Sequence, residues 1–148
     1  MRVREATTDD VDSICRLLML LFEQEAEFVP DYERQTAGVT AILRAPEIGR
    51  FVILEDTQGE VVGAVSLLFV PSTALGGKAA LVEDLIIRPD QRGKGLGSLL
   101  MAETVALARV FGCLRLTVLT DTDNLRAQAL YHKYGFRRSG MLPMRLVF

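Results

Sequence analysis

Histidine occurs once in the 148-residue chain, as His132, and cysteine only twice, as Cys15 and Cys113. One imidazole and two distant thiols cannot assemble a zinc centre, so no metal is expected. Cys15 lies in a helix-like apolar stretch and Cys113 follows Gly112, and both read as packing groups. That leaves neither a disulfide framework nor a cysteine nucleophile. Long apolar runs are missing too: the longest helix-like one, Leu17 to Phe22, falls far short of the roughly 20 residues that cross a bilayer. Net charge is scarce, since 17 basic and 19 acidic side chains leave −2, whereas a dedicated nucleic-acid binder usually carries a strongly basic domain. The start, Met1-Arg2-Val3-Arg4-Glu5, has no apolar signal segment, so a cytoplasmic location is expected. Linkers, repeats and low-complexity segments are absent, and the length suits one domain over residues 1–148.

What is present is enough to fold. Apolar residues make up 49% and charged residues 24%, which supports a sizeable core. Arg2 to Glu5 reads as a short strand. Thr7 and Thr8 before Asp9 and Asp10 resemble a helix cap with acids in the first turn, and apolar spacing from Val11 predicts a helix to about Phe28. A second helix is expected from about Tyr32 to Arg44, stopped by Pro46. Two β-rich runs, Arg50 to Asp56 and Glu60 to Val70, flank Thr57-Gln58-Gly59 as a hairpin, and after a loop over 71–78 a third strand runs from Ala79 to Arg88. A largely apolar helix from about Leu96 to Phe111 ends at Gly112, the position where helices favour glycine. Leu114 to Thr120 reads as a strand, Leu125 to Tyr134 as a helix, and Phe136 to Arg138 and Met144 to Phe148 as closing strands. The order is βααβββαβαββ, one mixed α/β (α+β) domain.

Charge is spread unevenly along this order. Residues 1–33 hold nine acids and three bases, whereas residues 125–148 hold five bases, one histidine and no acid. The two ends are either differently decorated solvated faces or surfaces that meet ligands of opposite charge.

The most informative stretch is Arg88 to Gly97. An apolar strand runs into a loop with Gly93, Gly95 and Gly97 at alternate positions, and a helix begins inside the loop. Such glycines let a backbone approach a ligand closely and leave helix N–H groups free for an anion, usually a phosphate. A Walker loop is excluded because Lys94 precedes Gly95 with no Ser or Thr after it. A dinucleotide fingerprint is excluded by the G-x-G-x-G spacing and by the half-chain that lies upstream.

Two motifs then carry a resemblance. Arg92-Gly93-Lys94-Gly95-Leu96-Gly97 resembles the R/Q-x-x-G-x-G/A loop of the GNAT superfamily of N-acetyltransferases. The preceding Val82-Glu83-Asp84-Leu85-Ile86-Ile87-Arg88-Pro89 looks like that family's central strand. About 30 residues on, Asn124, Ala127, Leu130, Tyr131, Gly135 and Phe136 match its second signature, N-x-x-A-x-x-L-Y-x-x-x-G-F, with Tyr134 where many members have Leu. The resemblance spans nearly the whole chain. It implies a mixed, mostly antiparallel sheet flanked by about four helices, with a last β-hairpin that is abbreviated here or contributes to a dimer.

The same resemblance implies a transferase, an acyltransferase that moves an acetyl group from acetyl-CoA to a primary amine by direct attack. The implied cofactor-binding positions are Arg92, Gly93, Lys94, Gly95, Leu96, Gly97 and Ser98 at the pyrophosphate. Leu85, Ile86 and Ile87 would lie along the pantetheine, and Asn124 and Tyr131 near the CoA arm and thioester. A non-catalytic acyl-CoA binding or sensing module on the same fold is the alternative.

The chemistry defines the remaining needs. An alkylamine with pKa near 10.4 is neutral at pH 7 in only about one part in 10³, so a proton acceptor is valuable. Glu83 is the candidate base and Asp84 the second choice; strand alternation sets Glu83 with Leu81, Leu85 and Ile87, and Asp84 with Val82 and Ile86 on the other face. Tyr131 is the family's usual general acid, donating to or hydrogen-bonding the departing thiolate. His132 reads as solvated. For the acceptor, residues 23–33 place Glu23, Glu25, Glu27, Asp31 and Glu33 beside Phe28 and Tyr32 without a base, and the helical spacing of Glu23 and Glu27 suggests a receptor for a cationic amine.

Overall fold

The computed structural model describes all residues from Met1 to Phe148 except Ala26. Elements follow in the order β1 (Arg2–Glu5), α1 (Val11–Phe22), α2 (Tyr32–Arg44), β2 (Gly49–Glu55), β3 (Val61–Ser72), β4 (Gly77–Ile87), α3 (Leu96–Val110), β5 (Leu116–Val118) and α4 (Leu125–Lys133). The five strands form one sheet in sequence order, antiparallel from β1 to β4, with β5 parallel to β4. One face packs on α3 through Val52, Leu67, Val82, Leu100 and Met101. The other packs on α1 and α2 through Ile14, Leu18, Val39, Phe51, Ile53 and Ile86.

The first helix is entered through a polar knot. Thr7 and Asp10 form a reciprocal cap on a 3-10 turn over Thr8–Asp10. The buried Asp10 carboxylate takes two bonds from the Arg4 guanidinium at 2.8 Å, which also reaches Glu55 on β2 at 2.7 Å. This pairing holds the Asp10 carboxyl below its usual range and fixes β1, β2 and the start of α1 together.

Four sequence expectations are corrected. The first helix stops at Phe22, not Phe28. Its last turn has no basic residue, and continuing would set Glu23, Glu25 and Glu27 at the negative end of the helix dipole with Glu23 and Glu27 repelling one turn apart. The hairpin of β3 and β4 runs further than expected, pairing Pro71 with Lys78 and Ser72 with Gly77. The two closing strands are absent among the described residues. β5 offers an edge of only three residues, and Gly140 and Pro143 interrupt the segment that would pair with it. Met141, Leu142, Met144, Leu146 and Val147 stay exposed there.

The fourth correction is a bulge in β4. Ala64 faces Ile86 and Ser66 faces Glu83, so both Asp84 and Leu85 lie opposite the single residue Val65. Asp84 takes the left-handed conformation, φ 56°, the only non-glycine residue to do so among the described ones. The extra residue resets the alternation. Glu83 therefore shares the α1/α2 face with Leu81 and Ile86, while Leu85 and Ile87 pack with Val82 against the α3 side. The Asp84 carboxyl lies near Ser66 and Glu83 rather than on the opposite face.

Burial there, more than the neighbouring Glu83 and Glu25 charges, pushes the Asp84 carboxyl up from 3.8 to about 6. A carboxyl with a raised folded pKa binds its proton more tightly in the native state, so stability falls as pH rises from about 4 to 6 and is then level. Asn keeps the left-handed preference and removes the titration. Asp84→Asn is expected to raise the melting temperature at pH 7.5, with the gain shrinking to nothing near pH 4 in thermal melts across that range.

Candidate active site

The loop between β4 and α3 is built to leave backbone donors free. After a 3-10 turn at Pro89–Gln91, pinned by an Arg88–Asp90 ion pair at 2.7 Å, Gly93 and Gly95 adopt positive φ of 82° and 76°. A Cβ at either would meet nothing within 4 Å, so both glycines face open space. Gly95 starts α3 and no side chain caps it, so the first-turn N–H groups and the positive end of the helix dipole are presented together.

Side chains around the loop stitch it to its neighbours. Arg92 donates from Nε to the Ile87 carbonyl at 2.9 Å and from Nη2 to Gln24 Oε1 at 3.1 Å. Lys94 donates to Gln91 at 2.8 Å and points along the loop surface. The Tyr134 hydroxyl donates to the Ser98 carbonyl at 2.6 Å and meets the Ser98 hydroxyl at 2.7 Å, which also receives Lys133 Nζ at 2.6 Å. Tyr134 is thus a polar tie between α4 and α3, a role that Leu at this place lacks and that the sequence reading missed.

Beside the loop lies a groove of about 410 Å³. Its floor follows from the sheet. β4 pairs with β5 only from Ala80 to Val82, and from Glu83 onward its outer edge is free of β5. Leu85, Ile86, Ile87, Arg92, Gly93, Gly95, Leu96, Gly97, Ser98 and Asn124 all line this groove. Lys94, Glu83 and Tyr131 do not line it. Leu21, Gln24, Gln91, Arg126, Ala127 and Leu130 also line it. Ala127 and Leu130 lie within the second motif, and Gln24 was legible only as a neighbour of the acidic run. Asn124 caps α4, its Oδ1 accepting from the Ala127 N–H at 3.1 Å, which leaves its side-chain NH2 for other partners.

Adjoining the groove is a group of carboxyls and one phenol. Gln24 lines the groove and Glu25 follows it; Leu85 lines it and Glu83 and Asp84 precede it. Burial pushes the Glu25 carboxyl up, helped by the charges of Asp121, Glu27 and Glu83 and opposed by Arg145. The Tyr131 ring stacks edge-on against Phe136 at 5.7 Å, and burial followed by the Glu25 charge raises its pKa. The phenol therefore holds its proton at neutral pH and is a donor. Ser66, fully buried, donates to the Glu83 carbonyl at 3.1 Å, which supports the bulge from behind.

Other members of the acidic run are placed differently from the sequence reading. Asp31 caps α2, accepting from the Arg34 N–H at 3.1 Å, and its N–H donates to Gln35 at 2.7 Å. The Tyr32 hydroxyl donates to Asp12 on α1. Both are thus occupied in holding the two helices. With α1 ended at Phe22, Glu23 and Glu27 do not share a helical face. Ala26 lies outside the described residues. His132 is exposed, its Nδ1 3.0 Å from the Phe136 carbonyl oxygen.

Comparison with known proteins places this geometry. The model of the acetyltransferase (GNAT) family matches residues 11–136. Glucosamine 6-phosphate N-acetyltransferase of Trypanosoma brucei brucei is 31% identical over 104 residues, 70% of this chain and 69% of that protein. Aminoalkylphosphonate N-acetyltransferase of Salmonella typhimurium is 29% identical over 137 residues, 93% of this chain and 85% of that one. An integron cassette protein from the Cole Harbour Salt Marsh metagenome superposes with a TM-score of 0.85 at 28% identity, covering 98% of this chain and 89% of that one. From the first helix to the end of the fourth, then, the chain belongs to the acetyltransferase (GNAT) family and is an acyl-CoA-dependent N-acetyltransferase.

Proposed function

We propose that this enzyme transfers the acetyl group of acetyl-CoA to a primary amine that carries a second positive charge. The observation that carries the reading is the adjacency of two unlike features: an uncapped, glycine-lined helix start suited to phosphates, and three carboxyls with a protonated phenol beside the same groove. The N–H groups from Gly93 to Ser98 hold the pyrophosphate, with Lys94 as a surface charge near it. The free edge of β4 at Leu85, Ile86 and Ile87 pairs with the pantetheine as an added strand would. The Asn124 amide donates to the CoA arm.

Catalysis follows from the acid group. Glu83 accepts a proton from the arriving ammonium, directly or through water, and the freed amine attacks the thioester carbon. The C–S bond breaks and the thiolate departs toward Tyr131. The raised pKa of that phenol makes full proton transfer uphill, so Tyr131 stabilises the thiolate mainly by donating a hydrogen bond. The acceptor's charge is inferred from Glu25 and Asp84 and the acids that act on them: the charges of Asp121, Glu27 and Glu83 push the Glu25 carboxyl up, and those of Glu83 and Glu25 push Asp84 up. The two relatives above act, by name, on amines that bear a phosphate or phosphonate. Carboxyls in this number favour the opposite charge on the acceptor.

Gly95→Ala keeps the fold, since its Cβ meets no atom, but strains the left-handed loop and narrows the approach of a phosphate. CoA affinity measured by calorimetry is expected to fall about tenfold or more. Tyr131→Phe is expected to lower kcat by about 10²-fold with little change in CoA affinity, the usual scale for a positioned proton donor. Glu83→Gln should instead move the pH–rate profile upward, because the amine then has to arrive deprotonated.

A further inference from the structure

The C-terminal tail returns to the acceptor side of the molecule. The Arg145 guanidinium pairs with the Glu27 carboxylate and lies 5.7 Å from the centre of the Phe28 ring. Phe28 in turn packs on Phe22, the last residue of α1, with ring centres 5.5 Å apart. The same guanidinium charge acts on Glu25, where it opposes the upward push of burial. A cation thus already sits over an aromatic face and against Glu27, and its charge reaches Glu25, which in turn acts on Tyr131.

Among the described residues, no other ion pair reaches this stretch. Residues 137–148 form no helix or strand, and the neighbours Met144, Leu146 and Val147 are 79–89% exposed. The Arg145 and Glu27 side chains are themselves 49% and 61% exposed, so their pairing is a solvent-screened contact that another cation can replace. Arg145 is also the only base after Arg138. An ammonium group has the same partners available to it here: a carboxylate for charge and a ring face for contact.

We propose that Arg145 is a built-in occupant of the cation position at the acceptor end, displaced when the second ammonium of a diamine acceptor binds against Glu27 and Phe28. The tail then acts as a selectivity strap. An acceptor with a second positive charge competes for the carboxylate and opens the site, whereas a neutral-ended amine has nothing with which to displace the guanidinium. The time spent with Arg145 in place lowers apparent acceptor affinity by the unoccupied fraction. This inference rests on the cationic-acceptor reading above.

The test is steady-state kinetics with an α,ω-diamine and with an amino alcohol of the same length, at low and high salt. Arg145→Ala is expected to lower the diamine KM about 3- to 10-fold, to leave the acetyl-CoA KM where it is, and to steepen the rise of diamine KM with salt, because no internal pair is left for salt to weaken. Arg145→Lys keeps a cation and should stay near the unaltered protein, and a chain ending at Met144 should behave as Arg145→Ala. A diamine KM that is unchanged or raised in Arg145→Ala overturns the proposal, as does an equal fall for diamine and amino alcohol. Glu25→Gln and Glu27→Gln separate the two levels. If neither raises the diamine KM, the cationic-acceptor reading itself fails; if they do and Arg145→Ala is silent, only the strap fails.

Discussion

One residue too many in β4 governs the geometry of the site. Without the bulge opposite Val65, Glu83 and Asp84 would project to opposite faces and one of them would have to enter the core around Leu100 and Met101. With it, both acids serve the α1/α2 side, and Leu85 and Ile87 turn to cover α3. The cost is a left-handed aspartate, a backbone strain of about 1–3 kcal/mol, and in addition a carboxyl in poorly solvated surroundings. The bulge also falls one residue beyond the point where β4 and β5 part company, so strand separation and the acid pair begin together.

Most of the architecture is written in local pattern. Apolar spacing from Val11, the break at Pro46 and the glycine that ends α3 place the helices apart from the end of α1, and β-branched runs place the long strands. The glycine loop is equally legible, because alternate glycines between a strand and a helix have few other uses. What sequence conceals is anything decided by a count of opposed residues. Alternation over Leu81 to Ile87 gives the wrong faces once Asp84 is inserted, and no property of Asp84 itself announces a bulge. The extent of α1 is misjudged for a different reason: Glu23, Gln24 and Glu25 are good helix formers, and only their summed charge at a helix C-terminus ends the helix. The closing strands look persuasive in isolation but have only three residues of β5 to pair with.

Candidate site residues divide the same way. Backbone-donor positions on the loop follow directly from glycine spacing, whereas Glu25 is distinguished from Glu23, Asp31 and Glu33 only by tertiary placement. Asp31 is drawn off as a helix cap and Tyr32 as a partner of Asp12, both local bargains that sequence permits without requiring. The surviving acids gather where the end of α1, the bulge and the tail converge. The repulsion on Glu25 is eased by the Arg145 guanidinium, which pairs with Glu27.

The tie between Tyr134 and Ser98 has a consequence for how the molecule opens. No residue of α4 is fully buried; Leu130 and Tyr131 pack half-buried against the core, and the helix is otherwise held at its two ends. Asn124 caps one of them; the Tyr134 and Lys133 contacts with Ser98 secure the other to the first turn of α3. Such a helix is a natural unit of local unfolding, with exchange of its amide hydrogens set by these few bonds rather than by the global transition. Because its anchor is also part of the α3 turn that we propose receives the pyrophosphate, occupancy of that turn would be coupled to order in α4. By mass action, protection along α4 then becomes a gauge of how full the loop is, while the sheet beneath exchanges on its own schedule.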